Sequence, residues 1–166
     1  MDRNRRVVNY SLLALTGTGI YFSIGTMFQT LEPPKKARLD AATFIDTTTL
    51  PLNEISYFMW QKKPIFILKK DTSMILDAKR DIHIGEYYYT LMIGICTHLG
   101  CVPKYEINNK CFICPCHNGH FDYNGNARSG PVSKPLVIPP FKLNNEMIII
   151  GEVGEAYLQL MEEAKA

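Results

Sequence analysis

The feature that most constrains this chain is a pair of short motifs that crowd cysteine and histidine together. The first, "CTHLGC", runs from Cys96 to Cys101, and the second, "CPCH", runs from Cys114 to His117, with 12 residues between them. All five cysteines of the 166-residue chain lie between Cys96 and Cys116. Thiolates and imidazoles are typical ligands of zinc and of iron–sulfur clusters. The motifs therefore predict one metal centre held by two loops.

Two kinds of metal centre fit the residues of these motifs. Each motif offers one histidine and two cysteines, so two thiolates and two imidazoles could complete a tetrahedral zinc site or ligate a 2Fe–2S cluster. Zinc motifs usually pair cysteine with cysteine and histidine with histidine, whereas each motif here mixes the two. Mixed motifs instead suit a cluster in which one iron takes both cysteines and the other takes both histidines.

An uncharged stretch near the N-terminus predicts a membrane-spanning helix. Arg6 and Glu32 bracket 25 uncharged residues. As a helix these residues would span about 37 Å, enough for a hydrocarbon core of ~30 Å. A cleaved signal peptide is the alternative, but the apolar run is longer than a signal h-region and no A-x-A site follows it. Basic residues lie on both sides of the stretch, so the positive-inside rule does not orient it, although Arg5 and Arg6 loosely match a twin-arginine export signal.

The remainder of the chain divides into a tether and a β-rich head. We assign residues 1–31 to the anchor helix, residues 32–43 to a flexible tether because they are polar and contain two prolines, and residues 44–166 to the head. Apolar runs joined by polar turns predict antiparallel hairpins. The predicted hairpins are 56–60 with 64–70, 102–107 with 110–113, and 141–143 with 147–151. Residues 72–80 predict a short helix capped by Thr72, and residues 154–164 predict a terminal helix.

The motifs and their surroundings resemble the Rieske iron–sulfur family. The similarity extends from "GICTHLGCVP" through "CPCH" to the downstream "FD", "NG" and "SGP", and "WQKKPIFIL" resembles the strand pair that precedes the cluster. It covers nearly the whole chain and is strongest to the Rieske subunit of a quinol–cytochrome c oxidoreductase, the cytochrome bc complex. The resemblance implies a mainly β fold: a Rieske-type antiparallel β-sandwich head with an inserted cluster-binding subdomain at residues 94–138, plus one N-terminal transmembrane helix.

The resemblance also implies roles for individual residues. His117 would be the catalytic residue, whose ring accepts a hydrogen bond from a quinol hydroxyl. Gly130 and Pro131 would belong to a proline loop that covers the cluster. One 2Fe–2S cluster would be bound by Cys96 and Cys114 on the inner iron and by His98 and His117 on the outer iron, with Cys101 and Cys116 joined in a disulfide bond.

The implied function is electron transfer from a membrane quinol to a c-type cytochrome, with proton transfer coupled to a histidine. The implied partners are cytochrome b, a c-type cytochrome subunit, the quinol and the membrane, in a dimeric complex of the bacterial inner membrane with the head on the periplasmic side. A net charge of +2 is too small to indicate a nucleic-acid partner. The alternatives are the Rieske subunit of another respiratory enzyme, such as arsenite oxidase, and a zinc module without a redox function.

Two positions depart from the family pattern. The family's second motif continues with a serine and a tyrosine whose hydroxyls donate hydrogen bonds to sulfur, and this chain has Gly119 and Phe121 there. Hydrogen bonds to sulfur stabilise the reduced cluster, so losing both lowers the potential by roughly 100–200 mV. We therefore expect a low-potential quinol, such as menaquinol, as the electron donor. Tyr123 is a minor candidate to replace the missing phenol.

Three other residues are expected to have structural roles. Cys111 forms a C-x-x-C pattern with Cys114, but no βαβ pattern surrounds it, so we expect a small strand residue rather than a thioredoxin-like pair. His120 is expected on the surface near the metal centre without binding it. His83 is expected to be an ordinary loop or strand residue.

Overall fold

A computed structural model describes residues 3–31 and 42–164 of the chain. The chain separates into two units, an N-terminal helix and a β-rich head. Of the predicted tether at 32–43, only residues 42 and 43 are described, and the rest lies outside the described residues. Thr43, the last residue of the predicted tether, is the first residue of the first strand.

The first unit is a single helix, α1, from Arg3 to Leu31. Among the described residues it is the one helix that is long and apolar enough to cross a membrane, over Arg3–Phe28. Its hydroxyl side chains donate to the helix's own carbonyls: Ser11 Oγ donates to Val7 O at 2.8 Å, and Thr16 Oγ1 donates to Leu12 O at 2.9 Å. These polar groups are therefore satisfied within the helix, as an apolar solvent requires.

Residues 42–164 form eleven strands in three antiparallel sheets, a short 3-10 helix at Thr47–Thr49 and a terminal helix. The first sheet has the order β1-β11-β10, the second has β2-β3-β5-β4, and the third has β6-β7-β8-β9. The strands are β1 Thr43–Asp46, β2 Ile55–Trp60, β3 Lys63–Lys70, β4 Asp81–Ile84, β5 Tyr87–Ile93, β6 Lys104–Glu106, β7 Cys111–Cys114, β8 Gly119–Asp122, β9 Ala127–Ser129, β10 Phe141–Asn144 and β11 Met147–Ile150; the helix, α2, is Glu155–Glu163.

The three predicted hairpins and the terminal helix are confirmed. The turn between β2 and β3 places Gln61 and Lys62 at φ of 48° and 64°, and the turn between β10 and β11 places Asn145 at φ 51°. Positive φ at such positions gives a two-residue turn the twist that matches antiparallel strands. In α2, Leu160 is buried and the ring of Tyr157 meets Phe141 of β10 edge to face. This contact identifies what the terminal helix packs against.

Two clusters of buried side chains hold the head together. One joins the first two sheets and α2. The other joins the second sheet to the third: Phe66 of β3 stacks on Phe112 of β7 with ring centroids 5.2 Å apart. Gly94 lies against this stack, since a Cβ there would come within 2.3 Å of a ring carbon of Phe66. The second cluster also contains Cys96 and Cys114, so the apolar core extends directly to the predicted metal centre.

The predicted short helix over residues 72–80 is wrong, because this segment forms a series of turns. The Asp71 carboxylate accepts from the Ser73 backbone N–H, and the Asp77 carboxylate accepts from the Lys79 N–H. Such local bonds offer the backbone an alternative to helix formation. The hydroxyl of Tyr123 also accepts from the N–H of Ile75 at 3.1 Å, a contact between distant parts of the chain.

Candidate metal centre

The first motif forms a closed turn at the end of β5. The N–H of Cys96 donates to the carbonyl of Cys101 at 2.7 Å, and the N–H of Gly100 donates back to the carbonyl of Cys96 at 3.0 Å. Gly100 has φ +85°, which favours glycine. Because the two ends of the motif are bonded to each other, His98 and Leu99 are placed at an exposed tip.

The second motif forms the turn between β7 and β8. Cys114 is the last residue of β7 and pairs with Gly119, the first residue of β8. Asn118 has φ 54° within the turn. His117 is exposed, whereas Cys114 is 2% exposed. The turn therefore places Cys114 in the interior and His117 at the surface.

The two buried cysteines, Cys96 and Cys114, lie together beneath the turns. Burial is the main reason that the pKa of the Cys96 thiol is raised. The backbone N–H of His98 donates to this sulfur and acts in the opposite direction, while the hydrogen-bonded Cys114 thiol raises the pKa further. Backbone N–H groups directed at a cysteine sulfur stabilise its thiolate form, which is the form that binds metals.

The two histidines lie together at the surface. The rings of His98 and His117 meet edge to face, with centroids 4.8 Å apart and an interplanar angle of 87°. Both residues are exposed. The structure thus brings together the four predicted ligands as two pairs, sulfur inside and nitrogen outside.

Cys101 and Cys116 form a disulfide bond, which joins the first turn to the second. The sulfur atoms of Cys101, Cys114 and Cys116 all lie within 4.8 Å of one another. Because two of these three sulfurs are bonded to each other, the three are not a ligand set. Their proximity instead places the disulfide directly beside the buried thiol of Cys114.

This asymmetric donor set has the chemistry of a mixed-ligand 2Fe–2S cluster, in which thiolates bind one iron and imidazoles bind the other. The comparison with known families agrees: residues 48–142 match the Rieske [2Fe-2S] domain. The chain belongs to the Rieske family. The matched range includes both motifs and the second and third sheets.

The similarity to known proteins extends over most of this chain. The mitochondrial cytochrome b-c1 complex Rieske subunit of Schizosaccharomyces pombe is 30% identical over 90% of this chain and 73% of its own length. The ubiquinol-cytochrome c reductase iron-sulfur subunit of Rickettsia typhi is 28% identical over 84% of this chain and 90% of its own. A chain of a solved hyperthermophilic respiratory Complex III has a TM-score of 0.58 and 27% identity, covering 85% of this chain and 98% of that one.

Residues 130–136, here named the covering segment, pack on both turns of this Rieske domain. Gly130 has φ +83°, and a Cβ there would lie 2.4 Å from the carbonyl oxygen of Asn118. Thr97 Oγ1 of the first motif donates to the carbonyl of Lys134 at 2.7 Å. Sequence reasoning missed Thr97, because its partner is 37 residues away and no local pattern marks the contact.

The two departures from the family pattern occupy closely packed positions. Phe121 is fully buried, and Gly119 is covered by Val132, whose Cγ1 would be 2.8 Å from a Cβ at position 119. Tyr123 does not replace the missing phenol, because its hydroxyl is hydrogen-bonded to the backbone N–H and carbonyl of Ile75.

The remaining residues singled out in the sequence have ordinary positions. His120 is half-buried in β8, with a ring nitrogen 3.1 Å from the side-chain oxygen of Asn118. Cys111 is a half-buried free thiol at the start of β7. His83 lies in β4 with its ring against Tyr88.

Proposed function

We propose that this chain is the Rieske iron–sulfur subunit of a membrane quinol–cytochrome c reductase. The observation that carries the proposal is the donor set itself: two buried thiols paired below two exposed imidazoles, within a Rieske domain. The apolar helix α1 supports a membrane-bound subunit. The Schizosaccharomyces pombe relative is named as a subunit of the cytochrome b-c1 complex, and the Rickettsia typhi relative is named as a subunit of ubiquinol-cytochrome c reductase. Both names support this assembly, with cytochrome b and a c-type cytochrome as partners.

The proposed ligands differ in burial. The two buried cysteines, Cys96 and Cys114, would bind the inner iron, and the two exposed histidines, His98 and His117, would bind the outer iron. When bound, the 2Fe–2S cluster supplies a one-electron acceptor. Imidazoles are neutral ligands, so this set leaves the centre less negative than four thiolates would, which raises its potential relative to all-cysteine clusters.

His117 is proposed to receive the quinol. Its exposed ring offers a nitrogen that accepts a hydrogen bond from a quinol hydroxyl and then holds the proton as the electron leaves. Exposed apolar side chains lie in and beside the first motif: Leu99 is 70% exposed and Val102 is 49% exposed. An apolar rim around a polar acceptor suits the docking of a lipid-soluble quinol against cytochrome b and excludes water from the contact.

The donor is proposed to be a low-potential quinol such as menaquinol. Neither Gly119 nor Phe121 offers a hydroxyl to sulfur, and the hydroxyl of Tyr123 is hydrogen-bonded to Ile75.

The proposed acceptor of the electrons is a c-type cytochrome. The compartment that suits both this acceptor and the Cys101–Cys116 disulfide is the periplasm, with α1 in the bacterial inner membrane and the complex a dimer.

The test is purification of the full chain from its native membranes in mild detergent. We expect acid-labile sulfide and non-haem iron in equal amounts, a rhombic low-temperature EPR signal after reduction, and co-purification with cytochrome b and a c-type cytochrome. Co-purification with a molybdopterin protein would instead assign the chain to an enzyme of the arsenite oxidase kind. Zinc without iron would exclude any redox function.

A further inference from the structure

A buried polar network joins the second sheet to the third, outside the proposed ligand set. Its centre is Lys70, the last residue of β3, whose side chain is fully buried. Lys70 Nζ lies 2.5 Å from Asp81 Oδ2 and 2.8 Å from the side-chain oxygen of Asn124, in the turn between β8 and β9. The Asp81 carboxylate also accepts from Thr90 Oγ1 and from the backbone N–H of Asp77.

Arg80 extends this network to the covering segment. Arg80 is only 5% exposed. Its guanidinium donates hydrogen bonds to two separate backbone carbonyls. Nε donates to the carbonyl of Asn124, and Nη2 donates to the carbonyl of Leu136 at 2.7 Å. The N–H of Leu136 in turn donates to the carbonyl of Gly125 at 2.8 Å. One guanidinium thus connects the turn after β8 to the end of the covering segment.

The cost of burying these charges argues that the network does more than stabilise the fold. Burial lowers the pKa of both Lys70 and Arg80, which shows that the interior disfavours their charged forms. Replacing a buried ion pair by apolar side chains of similar volume is often neutral or stabilising. Unlike apolar side chains, these charged groups make directional hydrogen bonds. Each such bond holds its donor and acceptor in one geometry.

Through the covering segment, the hydrogen-bond network is connected to the two turns of the proposed cluster site. Arg80 fixes Leu136, which ends the covering segment. The same segment covers Gly119 through Val132 and accepts a bond from Thr97 at Lys134. Both turns therefore contact a segment whose far end is held by Arg80.

We propose that Arg80, supported by the Lys70–Asp81 pair, is a positioning residue that holds the covering segment over the cluster site and limits water access to the buried sulfurs. The redox part of this inference rests on the proposed function. The part that concerns the covering segment does not, because amide exchange reports on that segment without reference to the cluster.

The test compares variants of the full chain purified in detergent. Arg80→Met removes both donors, and Arg80→Lys keeps the charge but replaces the fork by a single ammonium. We expect the Leu136 amide to exchange at least about tenfold faster in both, with a smaller change in Arg80→Lys, while core amides of β3 and β5 keep their rates. In Arg80→Lys, which keeps the positive charge, we also expect a higher midpoint potential, since solvent exposure of a cluster favours its more negative, reduced form.

Two further variants make the outcome decisive. Lys142→Met breaks the exposed ion pair with Glu152 in the same head and should change neither exchange nor potential. The double variant Lys70→Met with Asp81→Leu removes the supporting charges as a pair, and we expect it to fold and to increase exchange at Leu136.

Three results would overturn the inference. The first is faster exchange that is spread equally over the head. The second is unchanged exchange at Leu136 in folded Arg80→Lys and in the folded double variant. The third is local exchange that increases in Arg80→Lys without any change of its potential. A wild-type chain that shows no rhombic signal would contradict the proposed function instead, and the exchange data would still decide the role of Arg80.

Discussion

The ring of His98 meets the ring of His117 edge to face, with centroids 4.8 Å apart, although the two residues belong to different motifs. Each ring stands at the exposed tip of its own turn. The disulfide between Cys101 and Cys116 and the contacts of the covering segment hold these turns together. The histidine pair is therefore a product of tertiary structure, and its chemistry depends on both turns.

Replacing either histidine should remove the cluster and leave the head folded. We expect His98→Ala and His117→Ala each to abolish the rhombic EPR signal and the bound iron, because each leaves the outer iron with one protein ligand. The matched control is His120→Ala, three residues after His117, which should keep the signal at wild-type intensity. A wild-type spectrum in either ligand variant would contradict the proposed ligand set.

The sequence predicts a set of candidate ligands because residue type and spacing are local properties, and the ligation itself stays a prediction. Cysteine and histidine within a few residues of each other predict a metal loop wherever the fold places it. The hairpins were predictable for the same reason, since polar turns between apolar runs determine them locally. The helix predicted at 72–80 was wrong because Asp71 and Asp77 form turns and Tyr123 bonds to Ile75 from a distant part of the chain.

The contacts that shape the site could not be predicted in this way. Val132 covers Gly119, Thr97 reaches Lys134, and Arg80 reaches a carbonyl 56 residues away. None of these pairs is marked by composition or periodicity. They arise only when the second and third sheets are assembled.

Removal of the disulfide should weaken both the fold and the retention of the cluster. The double variant Cys101→Ser with Cys116→Ser opens a cross-link between residues 15 apart. Loop-closure entropy predicts a loss of about 3 kcal/mol in the free energy of unfolding, measured by denaturant titration. Cys111→Ser removes a free, half-buried thiol and should cost less than about 1 kcal/mol. An equal loss in both variants would show that the cross-link has no special role.

Restoring the missing hydroxyls should raise the midpoint potential. We expect Phe121→Tyr to raise it by roughly 40–90 mV if the new hydroxyl donates to sulfur in the reduced state. Gly119→Ser needs a second change, because its Cβ would lie 2.8 Å from Val132 Cγ1. We therefore expect the full increase only in Gly119→Ser with Val132→Ala, with Val132→Ala alone as its control. Unchanged potentials in Phe121→Tyr and in the double variant would remove the basis for a low-potential quinol.

A methyl group at Gly130 should displace the covering segment. Gly130→Ala combines a positive φ of +83° with a Cβ that would lie 2.4 Å from the carbonyl oxygen of Asn118, which belongs to the backbone and has little freedom to move. We expect the free energy of unfolding to fall by about 3 kcal/mol. Gly85→Ala is the matched control: it has φ +62° but nothing within 4 Å of its Cβ, so only backbone strain of about 1 kcal/mol applies. The difference between the two variants measures the close approach of the covering segment to the second turn. Equal losses would mean that the segment yields without cost and does not hold that turn in place.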